Sequence, residues 1–146
     1  MKILFLDVDG VLNYAGCPYF MKGTKMLGVD PNLVAIVRRI VRDTGCKVVL
    51  SSSWRLYEPD REYIKKKIDF IDITPDKRGL TDRGCEVIAW MDEHPEVTVH
   101  AILDDNSDFH KDQPLFLTSW QTGITPEVAQ RVIDHLNGVP VDATNS

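Results

Sequence analysis

Three groups of polar residues, each placed directly after a short apolar run, are the best candidates for chemistry in this chain. The groups are Asp7 and Asp9 after Ile3–Leu6, Ser51–Ser53 after Lys47–Leu50, and Asp104 and Asp105 after Thr98–Leu103. A short, uninterrupted apolar run is typical of a strand that is buried on both faces of a parallel sheet. Parallel strands end at one edge of their sheet, where α/β proteins bind ligands, so the three groups are expected to converge.

Four carboxylates in one cleft, those of Asp7, Asp9, Asp104 and Asp105, repel one another and stay ionised together only if a cation neutralises them. No Cys or His stands at ligand spacing nearby, so the available donors are hard oxygen atoms, which favour Mg²⁺ over zinc or copper. Carboxylates that hold Mg²⁺ suit phosphate chemistry, because the metal bridges carboxylate and phosphate oxygens. The serines that follow Leu50, Ser51 and Ser52, supply donors for phosphate oxygens.

A basic residue is needed to complete such a phosphate site, and three residues are candidates: Lys77, Arg78 and Arg83. Arg83 is favoured because it opens the helix that leads into the Asp104 strand, and the other two stay open as alternatives and as contacts to substrate. Gly10 lets the backbone turn tightly after Asp9.

The segment that follows the serines contains one further candidate for a contact to the substrate phosphate, Arg55. The alternative interpretation of Arg55 is a surface salt bridge.

The bulk properties indicate one globular domain, predicted over residues 1–138, with a C-terminal tail at 139–146. The chain has 146 residues, of which 43% are hydrophobic and 27% charged. Its net charge of −5 argues against broad, non-specific binding of nucleic acid, although it leaves room for a local basic rim. The sequence shows neither a signal peptide nor an apolar run of the ~20 residues that cross a membrane, so a cytoplasmic location is expected. Three scattered cysteines, Cys17, Cys46 and Cys85, are expected to be reduced thiols.

Apolar runs alternate with amphipathic segments, which predicts a three-layer α/β domain around a parallel sheet. Five strands are predicted near residues 3–6, 47–50, 70–73, 98–103 and 114–118. Helices are predicted from Pro31 to Gly45, with Asp30 as the N-cap, and near residues 59–68, 83–94 and 126–137. Residues 14–29 are expected to form a loop or a small flap over the end of the first strand.

The motifs DVDGVLN, VVLSSSW and AILDDNSD, with a basic helix start before the last, resemble those of the haloacid dehalogenase (HAD) superfamily in order and spacing. The resemblance implies a Rossmann-like sheet of order 5-4-1-2-3. It implies that Asp7 is the nucleophile and that Asp9 is the general acid and base. Ser51 and Arg83 would bind the transferred phosphoryl group. Mg²⁺ would be held by Asp7, by the carbonyl of Asp9, and by Asp104 or Asp105.

An aspartate at the position of Asp9 is typical of phosphatases and phosphotransferases of this superfamily, whereas the dehalogenases lack it. The segments SSSWR, RGCEVIAW, ILDD and TSWQTGIT are similar to the small HAD-type phosphatase domains of RNA-repair proteins and to the phosphatase half of polynucleotide kinase-phosphatases.

No segment is long enough for a separate lid, so only a minimal cap is expected, and an open cleft favours a large substrate such as a nucleic-acid end. Nucleotides also stay open as substrates, and the sequence leaves the oligomeric state undecided. A small-metabolite phosphatase is the alternative within the enzyme class. A receiver-like signalling domain, which holds a long-lived aspartyl-phosphate, is the alternative outside it.

Overall fold

A computed structural model describes residues 1–140 and gives a five-stranded parallel sheet flanked by helices. The strands are β1 (Lys2–Leu6), β2 (Lys47–Leu50), β3 (Asp72–Ile73), β4 (Val99–Asp104) and β5 (Leu115–Leu117). The α-helices are α1 (Pro31–Thr44), α2 (Glu58–Lys65), α3 (Arg83–Asp92) and α4 (Pro126–Leu136), and Ser53–Leu56 form a short 3₁₀ helix. Positions 141–146 of the predicted tail lie outside the described residues.

The strand order is β3-β2-β1-β4-β5, and each pair of neighbouring strands is parallel. Read from the opposite edge, this is the predicted order 5-4-1-2-3, so the Rossmann-like fold is confirmed. Within residues 1–140, every helix is too short or too polar to cross a bilayer.

The central strand β1 is buried on both faces, which explains its uninterrupted apolar run. Leu4 and Leu6 face α1 and α4, whereas Ile3 and Phe5 face α3. Phe5 meets the ring of Trp90 edge to face, with 5.5 Å between ring centroids. Because all four apolar residues of β1 are 0% exposed, the strand is fixed at the centre of the sheet, and its carboxyl end is fixed with it.

Local signals set the bounds of α1 as predicted. The side chain of Asp30 accepts a hydrogen bond from the backbone N–H of Asn32, and Pro31 occupies the first turn. The phenol of Tyr14 donates to Asp30 over 2.6 Å, and this bond to a carboxylate raises the pKa of Tyr14 to about 12. At the other end, Gly45 adopts φ 71° and its N–H donates to the carbonyl of Val41.

Several elements, including β3, α2, α3 and β5, are about two residues shorter in the structure than predicted. The strand expected over residues 70–73 contains only Asp72–Ile73, because it is the edge strand and pairs with β2 over two residues. The helix expected over residues 59–68 ends at Lys65, and the chain then turns so that Ile68 packs into the core.

Two segments beyond the sheet edge border the polar strand ends. Residues 14–29 include a small hairpin, in which Phe20 and Leu27 form an antiparallel bridge and the N–H of Met21 donates to the carbonyl of Met26. The loop at residues 118–124 is tied to the β1 end. The Thr118 hydroxyl donates to the carbonyl of Gly10 over 2.6 Å, and the N–H of Ile124 donates to that of Val11.

Gly123 in this loop is expected to be sensitive to substitution. It adopts φ 68°, and an added Cβ would lie 2.5 Å from Leu33 Cδ1 and 2.9 Å from the Val11 carbonyl oxygen. Gly45 is a matched control, because it adopts φ 71° but an added Cβ meets nothing within 4 Å. We expect Gly45→Ala to lower the free energy of unfolding by about 1 kcal/mol. Gly123→Ala should lower it by about 2–4 kcal/mol because overpacking adds to the backbone strain. Urea denaturation measures both, and equal losses would contradict the close packing of the loop.

Candidate active site

The carboxylates of Asp7, Asp104 and Asp105 meet at the carboxyl edge of β1 and β4. One oxygen from each lies within 4.8 Å of those of the other two. Backbone pairing fixes this arrangement, because the N–H of Asp7 donates to the carbonyl of Leu103 over 3.0 Å and continues the β1–β4 ladder. Asp7 is 4% exposed and Asp104 is 0% exposed. A compact set of carboxylate oxygens is the donor set that Mg²⁺ prefers, so these residues fit that metal.

Arg83, the first residue of α3, extends its guanidinium into the carboxylate group. Its Nη1 lies 2.5 Å from Asp104 Oδ2 and 3.5 Å from Asp7 Oδ2. Burial acts to lower the pKa of Arg83, but the charges of Asp7 and Asp104 outweigh burial and raise it. Arg83 is therefore a fixed cation at this edge of the sheet.

Simultaneous ionisation of Asp7, Asp104 and Asp105 is unfavourable at this edge of the sheet. Burial and the neighbouring charge of Asp7 raise the pKa of Asp104 to about 8, despite the guanidinium beside it. Burial, followed by the charge of Asp7, also raises the pKa of Asp105. A cation added at this point would relieve the repulsion, which is the behaviour expected of a metal or phosphate site.

Asp9 is held apart from the other three carboxylates by two N–H donors. The side-chain amide of Asn13 donates to Asp9 Oδ1 over 2.9 Å, and the indole N–H of Trp54 donates to Asp9 Oδ2 over 3.1 Å. Asn13 is fully buried, and its amide also donates to the carbonyl of Gly28 at the base of the hairpin. Sequence reasoning assigned no role to Asn13. It interpreted Trp54 as a packing residue, because Trp54 and Asp9 are 45 residues apart and no local signal reveals their contact.

Gly10 is required at the turn after Asp9 for two reasons. Its φ is 78°, and an added Cβ would lie 2.1 Å from Asp105 Oδ2. The turn therefore brings the backbone directly against the carboxylate group. The N–H of Gly10 donates to the side-chain oxygen of Asn13, so the same asparagine holds both Gly10 and Asp9.

The serines after β2 lie at the same edge of the sheet. The N–H of Ser51 donates to the carbonyl of Leu6, which places Ser51 next to the end of β1. The Oγ atom of Ser51 is buried and has no hydrogen-bond partner among the described residues, so it is free to bind a ligand oxygen. The hydroxyl of Ser52, in contrast, accepts a hydrogen bond from the N–H of Trp54 and caps the 3₁₀ helix.

The structure does not bring Arg55 into the cleft. Arg55 is 1% exposed, and its guanidinium donates to Glu86 over 2.8 Å and to backbone carbonyls that include those of Ser52 and Thr74. Burial lowers the pKa of Arg55, and the charge of Glu86 acts in the opposite direction. Glu86 lies one turn after Arg83, so this buried ion pair joins the serine segment to the helix that carries Arg83.

The other two basic candidates lie outside the carboxylate group. Arg78 is exposed and pairs with Asp76 over 2.9 Å. The backbone N–H of Lys77 donates to Glu86, and its side chain is half-buried. Of the three basic residues considered, Arg83 is the one that contacts the carboxylates.

A second group of potential ligands lies at the start of α3. Asp82, Cys85 and His110 each offer one atom within 4.8 Å of the others. The sequence does not reveal this group, because His110 lies far from Cys85 along the chain. Asp82 already caps α3 by accepting from the N–H of Cys85 over 2.8 Å. Cys17, Cys46 and Cys85 form no disulfide among the described residues.

Comparison with protein families finds a match over residues 3–129 to the model of the HAD domain in Swiss Army Knife RNA repair proteins. Comparison with curated proteins gives no match. The family match spans four of the five strands and all of β1 except Lys2, and it confirms the relationship predicted from the motifs. The chain belongs to the family of HAD domains found in Swiss Army Knife RNA repair proteins.

Proposed function

We propose that this domain is a Mg²⁺-dependent phosphomonoester hydrolase that works through an aspartyl-phosphate on Asp7. The observation that carries the proposal is that two carboxylates only two residues apart in the sequence have different surroundings. Asp7 faces Arg83 and the acidic pair, whereas Asp9 is held separately by Asn13 and Trp54. Membership of the HAD family supports phosphatase activity in general, and the mechanism and the substrate belong to the proposal.

In the first step, a carboxylate oxygen of Asp7 attacks phosphorus and the bond from phosphorus to the leaving oxygen breaks. Protonated Asp9 donates its proton to that leaving oxygen, so the product leaves as an alcohol. The free hydroxyl of Ser51 and the guanidinium of Arg83 bind the oxygens of the phosphoryl group in transfer.

In the second step, Asp9 takes a proton from water, and the water oxygen attacks phosphorus. The bond between phosphorus and the Asp7 oxygen breaks, which releases phosphate, restores the Asp7 carboxylate and leaves Asp9 protonated for the next turnover. The two N–H donors on Asp9 hold it in the orientation that both proton transfers need.

Asp7, Asp104 and Asp105 are the side chains proposed to hold Mg²⁺, together with the backbone carbonyl of Asp9. Bound there, the metal would neutralise negative charge on the phosphoryl oxygens.

Two observations support nucleic-acid ends or nucleotides as the substrate class. The family is that of domains in RNA-repair proteins. Among the described residues, the segments over the strand ends are a short hairpin and a loop, which cover less of the cleft than a separate domain would. A cleft with so small a cover leaves room for a leaving group larger than a small metabolite.

Phosphate release tests the proposal directly. We expect Mg²⁺-dependent turnover, abolished by a chelator, on oligonucleotides with a terminal phosphate and on nucleoside 3′- or 5′-monophosphates. Asp7→Asn should lower kcat to background because the nucleophile is lost, and Asp9→Asn should slow turnover and accumulate the phospho-intermediate, which acid-quenched labelling detects. Full activity of Asp7→Asn would rule out the mechanism. Turnover confined to small sugar or aryl esters would favour a metabolite phosphatase, and a stable adduct without turnover would favour the receiver-like function.

Substitution of the three basic candidates tests the assignment of Arg83. We expect Arg83→Ala to lower kcat by about 100-fold or more, because it removes the cation that faces the transferred group. Arg83→Lys should recover part of this loss. Arg42→Ala is a matched control on the exposed face of α1, where the side chain is 73% exposed. A larger loss in Lys77→Ala or Arg78→Ala than in Arg83→Ala would transfer the role to that residue.

Metal binding should stabilise the fold more at high pH than at low pH. Because burial and the charge of Asp7 raise the pKa of Asp104 to about 8, the metal-free protein keeps the stabilisation from a protonated Asp104 below about pH 4. It loses that stabilisation as the pH rises through about 8. Mg²⁺ replaces the proton, so Mg²⁺ at about 100 times its Kd should add about 2.7 kcal/mol near pH 9 and much less near pH 5.

Thermal unfolding with Mg²⁺ and with chelator measures this difference in Tm. Asp105→Asn should reduce the Mg²⁺-dependent shift, and Asp112→Asn, an exposed aspartate later in the same region, is the control. An equal Mg²⁺ effect at both pH values would contradict the coupling of metal and proton at this site.

A further inference from the structure

The cavity beside Asp9 has no part in the hydrolysis mechanism described above. Its volume is about 440 Å³, which falls in the range of about 300–1,000 Å³ typical of small-molecule sites. Its lining comes from the hairpin, the 3₁₀ helix, the first turn of α2 and the loop at residues 118–124. Asp9 is one of the lining residues. The group that receives a proton from Asp9 in the proposed mechanism would therefore lie next to this cavity.

Two tryptophans, Trp54 and Trp120, line the cavity and are held by different contacts. Trp54 is fixed by its N–H bond to Asp9 and by the neighbouring ring of Tyr63, 6.1 Å away between centroids. Trp120 lies in the loop that is tied to the β1 end, and its backbone carbonyl accepts from the N–H of Ala15 over 2.8 Å. The flat face of an indole ring is suited to stack on a planar heterocycle.

Apolar side chains of the hairpin complete the wall. Met21 and Met26 line the cavity on either side of the turn. Met26 is 58% exposed and Trp120 is 40% exposed. Large apolar side chains left in water next to a reactive centre mark a binding surface, because contact with a ligand removes their apolar area from water. Methionine adapts to flat ligands of different shape.

The polar groups of the cavity select against a second phosphate. The carboxylates of Asp9 and Asp60 line it, and no basic residue is among the described residues that do so. Burial, and then the charge of Asp9, raises the pKa of Asp60. A ligand with N–H donors would form hydrogen bonds with the carboxylate of Asp60, whereas the two carboxylates would repel an anionic group.

We propose that this cavity binds the nucleobase of the leaving group, stacked against Trp54 and Trp120, with Asp60 accepting hydrogen bonds from the N–H groups of the base. The inference rests on the proposed phosphomonoester hydrolysis and narrows its substrate class to esters of nucleosides. A nucleobase is planar and uncharged and carries N–H donors, which matches the three properties of the cavity wall.

The test compares kcat/KM for nucleoside monophosphates with kcat/KM for the ribose phosphate that carries the same ester. Wild-type protein should prefer the nucleotides by roughly 10-fold or more, because stacking of the base contributes to their binding. Trp120→Ala should remove most of that preference, and Trp120→Phe should keep most of it because the stacking face is retained. Asp60→Asn should change the ranking of the four bases. Tyr57→Ala, which removes a 61% exposed aromatic outside the cavity lining, is the matched control.

A second measurement does not depend on the folding of any variant. Nucleosides without phosphate should competitively inhibit the hydrolysis of ribose phosphate by the wild-type protein, and free ribose should not. Equal kcat/KM for nucleotides and ribose phosphate, or no inhibition by nucleosides, would overturn the cavity assignment and leave the hydrolase function standing. Absence of phosphate release from every one of these esters would instead overturn the hydrolase proposal itself.

Discussion

The concentration of negative charge at the carboxyl end of β1 and β4 is the constraint on which the rest of this structure depends. Asp7, Asp104 and Asp105 share a small space, and two of the three are almost completely buried. Water cannot solvate such a group well, so its repulsion is balanced by the fixed cation of Arg83 and by a raised pKa of Asp104. A divalent cation bound among these carboxylates would relieve the same repulsion.

Arg83 must be held accurately for this balance to work, and a second, buried ion pair provides the support. Glu86, one turn later on α3, binds Arg55, whose guanidinium also donates to carbonyls of the serine segment. The pair connects the serine segment to the helix that carries Arg83. A surface salt bridge contributes little, but a buried pair with its hydrogen bonds satisfied imposes one geometry on the elements it joins.

The two carboxylates of the motif DVDGVLN, Asp7 and Asp9, have different surroundings in the structure. Asp9 lies two residues from Asp7, yet it stands outside the group of Asp7, Asp104 and Asp105, and its oxygens accept hydrogen bonds from Asn13 and Trp54. Those donors are part of a larger arrangement: Asn13 also binds the base of the hairpin, and Trp54 also forms a wall of the cavity. The two side chains that bind Asp9 therefore also connect it to the hairpin, through Asn13, and to the cavity, through Trp54.

The sequence by itself determined the fold and the chemical types at the sheet edge. Uninterrupted apolar runs require strands buried on both faces, and parallel strands must end at one edge, so the order of the motifs located Asp7, Ser51 and Asp104. Tertiary structure alone decided the contacts between distant segments. Arg55 is not distinguishable from a substrate ligand by its position, because its partner Glu86 lies 31 residues away. The contact of Arg83 with the carboxylates and the cavity between Trp54 and Trp120 likewise depend on packing, for which local sequence carries no period or spacing.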